Sequence, residues 1–114
     1  DPSRAALAAR VLAALQPRPD LARRVSEIDV SDDRDATLIL KGDTALVRVG
    51  TEQFVERLQS YVDLAPALRE RVAAIDSVDL RFDQRVYVRP AAKRGNLWRE
   101  ENATWSALTS ALRG

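Results

Sequence analysis

The chain has 114 residues, 46% of them hydrophobic and 31% charged, enough for one ordinary domain with a packed core and a well-solvated surface. Its formal charge is +1, from 18 basic and 17 acidic side chains, and it contains neither histidine nor cysteine. Those two absences exclude disulfides, the usual general base at neutral pH, the thiol nucleophile and the commonest transition-metal ligands.

Asp1, Pro2 and Ser3 open a helix, with proline tolerated in the first turn and Asp or Ser available to cap free N–H groups. Leu7, Val11, Ala14 and Leu15 then recur at helical spacing until Pro17 and Pro19 end the segment. Residues 24–30 read as a strand carrying Val25, Ile28 and Val30, and residues 31–35 as a turn. Thr37, Leu38, Ile39 and Leu40 form a second strand, Lys41, Gly42 and Asp43 a second turn, and residues 45–49 a third strand. This is the pattern of a meander of short antiparallel strands.

Gly50 closes that strand, and Thr51 is the expected cap of the next helix, whose stripe is Phe54, Val55, Leu58, Tyr61 and Val62. Pro66 interrupts the stripe and is expected to start a second, short helix carrying Leu68 and Val72. Strand alternation returns at Val78, Leu80 and Phe82, and again at Val86 and Val88, with a bend, bulge or tight turn at Asp83 and Gln84. Pro90 cannot donate to a ladder and terminates the pattern. Beyond it, Trp98, Trp105, Leu108 and Leu112 have helical spacing, with Asn102 or Thr104 as the cap of a tail helix. The predicted fold is α+β: a mainly antiparallel, mixed sheet of about five strands, three helices and a C-terminal tail helix.

Catalytic chemistry is scarce. A Ser–Lys pair would have to use Lys41 or Lys93, which sit in a turn and in the tail. Asp32, Asp33 and Asp35 lack the alternation, glycine and closing glutamate of a calcium loop and read as a solvated turn. Asp76, Asp79 and Asp83 are spaced by three and four, which does not set them on one strand face, and read as edge or turn solvation. Asn102, Ala103 and Thr104 match a glycosylation sequon, a short pattern that fits a helix start better. No cofactor or metal is expected, and the protein is not expected to be an enzyme.

What is left is interaction chemistry. The strand from Arg85 to Arg89 ends directly on Pro90, which makes it a natural sheet edge. Arginines at 81, 85 and 89 discourage self-pairing and favour an acidic partner, so the edge suits strand addition and aggregation defence equally well. An alternative comes from Arg85, Arg89, Lys93, Arg94 and Arg99, which run without an acidic residue until Glu100, with Tyr87 and Trp98 nearby. That stretch would suit nucleic acid or another anionic surface, against which stand the near-zero net charge and the lack of any binding motif.

Several blocks resemble the C-terminal periplasmic β domain of the FtsQ/DivIB division proteins. Arg57-Leu58, Tyr61-Val62-Asp63-Leu64, Pro66 and Leu68 resemble the family's helix, and Val78-Asp79-Leu80-Arg81-Phe82 its V-D-L-R-Y/F strand. Val86-Tyr87-Val88-Arg89-Pro90 is similar to the family's terminal strand, and Val25 to Val30 and Leu46 to Gly50 to its earlier ones. The resemblance covers about residues 20–90 and implies a β domain at 1–90 with a separate tail at 91–114. It also implies a non-catalytic divisome scaffold on the periplasmic side of the bacterial inner membrane, which binds FtsB and FtsL homologues by adding a strand to its last strand. Carried over by motif, the partner-binding residues are Arg81 and Phe82, with Asp83, Gln84, Val86 and Val88 along the same edge and Arg57 as a further contact. No nucleic acid is expected as a partner. The chain opens on Asp1 and is expected to be a piece of a larger protein; it holds no apolar run near 20 residues, and the resemblance implies that the parent's single membrane helix lies outside it.

Overall fold

The computed structural model describes residues 1–91 and 101–104. Helix α1 spans Pro2–Leu15, with Asp1 as its cap: the carboxylate accepts from the Ser3 amide at 2.9 Å. Leu7, Val11 and Leu15 are buried, so the predicted stripe is the packed face. A short helix α2, Pro19–Ala22, follows where only a break was expected; Pro19 opens it and Leu21 is buried.

Three strands come next, β1 (Val25–Asp29), β2 (Ala36–Leu40) and β3 (Leu46–Gly50), paired antiparallel as the meander pattern predicts. Helix α3 then runs from Phe54 to Arg71 as one element. It carries the chain back so that the next strand, β4 (Ile75–Phe82), lies parallel to β3, with Val47 opposite Val78 and Arg48 opposite Asp79. Strand β5 (Arg85–Pro90) returns antiparallel to β4, and a short strand β6 (Glu101–Thr104) pairs antiparallel with β5. The order in the mixed sheet is therefore the order in the chain, β1 to β6.

Alternate strand residues build the core: Ala36, Leu38 and Leu40 from β2, Val47 and Val49 from β3, Val78 and Leu80 from β4, Val86 and Val88 from β5. Against them pack Leu7, Val11 and Leu15 of α1 and Phe54, Leu58, Tyr61, Leu64 and Leu68 of α3. This is a two-layer α+β arrangement, as predicted.

Four local expectations are corrected. Pro66 does not start a new helix but lies inside α3. The missing amide and ring clash cost about 3 kcal/mol, whereas burying Leu64 and Leu68 beyond or beside it contributes roughly 1.5–3 kcal/mol each. The packed stripe overrides the local break. The residue at the helix start is Gln53, in the left-handed region at φ 54°, and Thr51 is not the cap. Asp35 and Asp79, read as solvated turn or edge groups, are both buried. Asn102 and Thr104 lie in β6 and do not cap a helix, while positions 105–112 of that expected helix, and Trp98, lie outside the described residues.

Candidate functional site

Strands β4 and β5, the turn between them and the first turn of α3 bring most of the predicted partner-binding residues to one end of the sheet. Strand β4 is pinned there by charge. Asp79 accepts from the Arg81 amide at 3.0 Å and from its guanidinium at 2.9 and 2.7 Å. Arg48, opposite Asp79 on β3, reaches the same carboxylate at 3.4 Å and Asp35 at 2.7 Å. Asp35 lies 3.7 Å from Arg81 and also accepts from the Gly50 amide at 3.0 Å. Two aspartates and two arginines thus tie β2, β3 and β4 together on the face of the sheet turned away from the helices. Burial raises the Asp79 pKa, but the Arg81 hydrogen bonds and the charges of Arg81 and Arg48 outweigh it and hold the carboxyl below its ordinary value.

Helix α3 reaches the same spot from the other side. The Arg57 guanidinium donates to the Val49 carbonyl at 2.6 Å and to the Arg81 carbonyl at 3.4 Å, and its side chain is only 11% exposed. Gly50, at φ 73°, gives it room: a Cβ there would stand 2.9 Å from the guanidinium and 3.2 Å from Arg81 Cγ. Arg57 therefore positions the ends of β3 and β4, and Arg81 is committed to the ion-pair cluster.

Between Asp79 and Phe82 the β4–β5 register shifts: Asp79 faces Tyr87, yet Phe82 faces Arg85. A bulge of this kind re-aims the side chain that follows it. Phe82 is 48% exposed. Its ring meets Tyr87 edge-on, 5.1 Å between centroids at 80°, and the Arg81 guanidinium carbon lies 5.6 Å from its centroid. Phe82 stands between two shallow hollows. One, about 280 Å³, is lined by Gln53, Arg57, Leu80, Gln84 and Val86 among others. The second, about 290 Å³, is lined by Arg48, Asp79, Arg81, Tyr87 and Arg89 among others.

The remaining predicted residues divide by role. Asp83 and Gln84 form the turn, and Gln84 takes the left-handed conformation at φ 57° that closes it. Val86 and Val88 are buried, at 2% and 4% exposure, so their side chains belong to the core. Tyr87, which the motif does not carry over, joins Phe82 here, and its alternation with Val86 and Val88 sets it on the outer face. The expected free edge is corrected as well. Strand β5 is not outermost: Arg85 pairs with Thr104, Val86 with Ala103, Tyr87 with Asn102 and Val88 with Glu101.

Among the described residues, no group of three or more Asp or Glu is arranged to hold a metal, and no helix is long and apolar enough to cross a membrane. A family model described as cell division protein FtsQ/DivIB, C-terminal, matches residues 2–81. The match thus begins with α1 and ends at Arg81, before β5. The cell division protein FtsQ of Koribacter versatilis (strain Ellin345) is 34% identical over 70 residues, which are 60% of this chain and 20% of that protein. The aligned part therefore spans about a fifth of that relative's length. No solved structure matches.

Proposed function

This chain belongs to the FtsQ/DivIB cell-division family, and we propose that it is the docking module of a divisome scaffold that receives the FtsB–FtsL pair along β5. The observation that carries the reading is Phe82: a half-exposed aromatic ring braced by Tyr87 and Arg81 beside β5. Aromatic residues of this kind dominate binding energy at protein interfaces, and strand addition supplies backbone bonds beside them. In this reading Phe82 and Tyr87 are the side-chain contacts, and Arg85 to Val88 supply the ladder. Arg57, Arg81, Asp35 and Asp79 are positioning residues that hold the hairpin in place. The parent protein is anchored in the inner membrane by a single helix and presents this domain on the periplasmic side. It performs no catalysis; its work is to hold partners together during septum formation.

The test is titration of the purified FtsB–FtsL pair with wild-type protein and Phe82→Ala, with circular dichroism as the folding control. We expect the variant to fold normally and bind at least about 30-fold more weakly, the consequence of losing a contact worth about 2 kcal/mol. Equal affinity for both proteins would overturn the reading.

A further inference from the structure

We infer that residues Glu101–Thr104 are a tethered competitor for the docking strand, so that a partner must displace this chain's own β6 before it can pair with β5. The inference rests on the docking reading of β5 above and adds to it a resting, self-occupied state.

The registers carry it. A strand has two ladder sides, and one side of β5 is taken by β4, through Ile75 with Pro90, Ser77 with Arg89, Val78 with Val88 and Asp79 with Tyr87. The other side is taken by β6 over Arg85, Val86, Tyr87 and Val88. These are the residues an added strand would need, and no third ladder exists. Any partner that extends the sheet at β5 therefore competes with β6 for the same N–H and C=O groups.

The occupant is built to be weak. Strand β6 is four residues long, and its sequence, Glu-Asn-Ala-Thr, contains three residue types depleted in strands. Its advantage is attachment: Glu101 is joined to Ala91 through nine residues of the same chain, so its pairing with β5 is intramolecular. Such a strand covers the edge when no partner is present, which protects it from pairing with other copies. A partner strand that is longer, or richer in β-branched and aromatic residues, forms more of the ladder and displaces it. The tail thereby sets a threshold on docking, since apparent affinity falls with the fraction of molecules whose edge is free.

The test uses the full chain with Asn102→Pro and Ala103→Pro together. Alternate residues of β6 direct their amides at β5, so removing two consecutive amides removes at least one ladder donor whichever way the strand faces. Two readouts are taken: amide exchange at Arg85 to Val88 in the absence of partner, and affinity for the FtsB–FtsL pair. We expect faster exchange at alternate β5 amides and about tenfold tighter binding, as for an edge freed from about 10% to near-complete availability. Unchanged exchange and unchanged affinity would overturn the inference while leaving the docking reading intact. Failure of both proteins to bind would overturn the docking reading. Faster exchange in the variant would in that case still identify β6 as a removable cover of β5, and unchanged exchange would remove that too.

Discussion

The ring of Phe82 packs edge-on against Tyr87, with centroids 5.1 Å apart, beside the register shift between Asp79 and Phe82. Two aromatic side chains from neighbouring strands thus form one small patch, and its strength can be measured. In a double-mutant cycle of Phe82→Ala and Tyr87→Ala, we expect a coupling of about 0.5–1.5 kcal/mol to folding stability. Chemical denaturation of the four proteins checks it, and a coupling near zero would mean that the two rings act independently.

Val86 lies on the same strand as Tyr87 but faces the other way. Its side chain is buried against the helices, so Val86→Glu places a carboxylate in the core. We expect it to destabilise the fold by more than about 3 kcal/mol. Loss of partner binding in that variant would report unfolding rather than docking, and a denaturation curve run beside the binding assay separates the two.

Gly50 and Gly42 share a φ of 73° but differ in surroundings. A Cβ at Gly42 meets nothing within 4 Å, so Gly42→Ala should cost only the left-handed backbone penalty of about 1 kcal/mol. At Gly50 the added methyl meets Arg57 and Arg81 as well, and Gly50→Ala should cost clearly more. Comparing the urea midpoints of the two variants checks the order, and equal losses would show that Arg57 yields freely.

Acid should weaken the fold through Asp79 and Asp43. Burial raises both pKa values, but it is outweighed at Asp79 by the Arg81 hydrogen bonds and the Arg81 and Arg48 charges. At Asp43 it is outweighed by the Tyr61 hydroxyl at 2.6 Å, the Ala45 amide and Arg69. Both folded values lie below the ordinary one of 3.8, so the unfolded chain takes up protons first. The stabilisation is complete above the unfolded value and is lost as pH falls below about 4 through the folded values. Denaturant midpoints should be flat from neutral pH to about 5 and then drop, with a shallower acid slope in Asp79→Asn.

Tyr61 shows why these contacts escaped a linear reading. Its place in the α3 stripe follows from spacing alone, but its bond to Asp43 spans 18 positions. Burial, with the Asp43 carboxylate beside it, pushes the phenol above its ordinary value, so it is a neutral donor throughout the working range. Likewise Asp35 and Asp79 looked like solvated groups because turn residues and charge are what a local window detects. Only the β2–β3 and β3–β4 registers bring Arg48 between them.

Helical and strand periodicity are properties of neighbouring residues, which is why Leu7–Val11–Leu15, the meander and the Val86–Val88 alternation were legible from the chain, and with them the α+β class and the terminal hairpin. The alternation of Val78 and Leu80 likewise marked β4 as a strand with one buried face. Tertiary structure decided what depends on distant partners. A buried stripe carried α3 through Pro66, the crossover laid β4 parallel to β3, and the pairing of β3 with β4 gave Asp79 a second arginine in Arg48. The edge depended on it most: spacing could propose β5 as the last strand, but a ladder forms between segments far apart in sequence, and β6 lies against it.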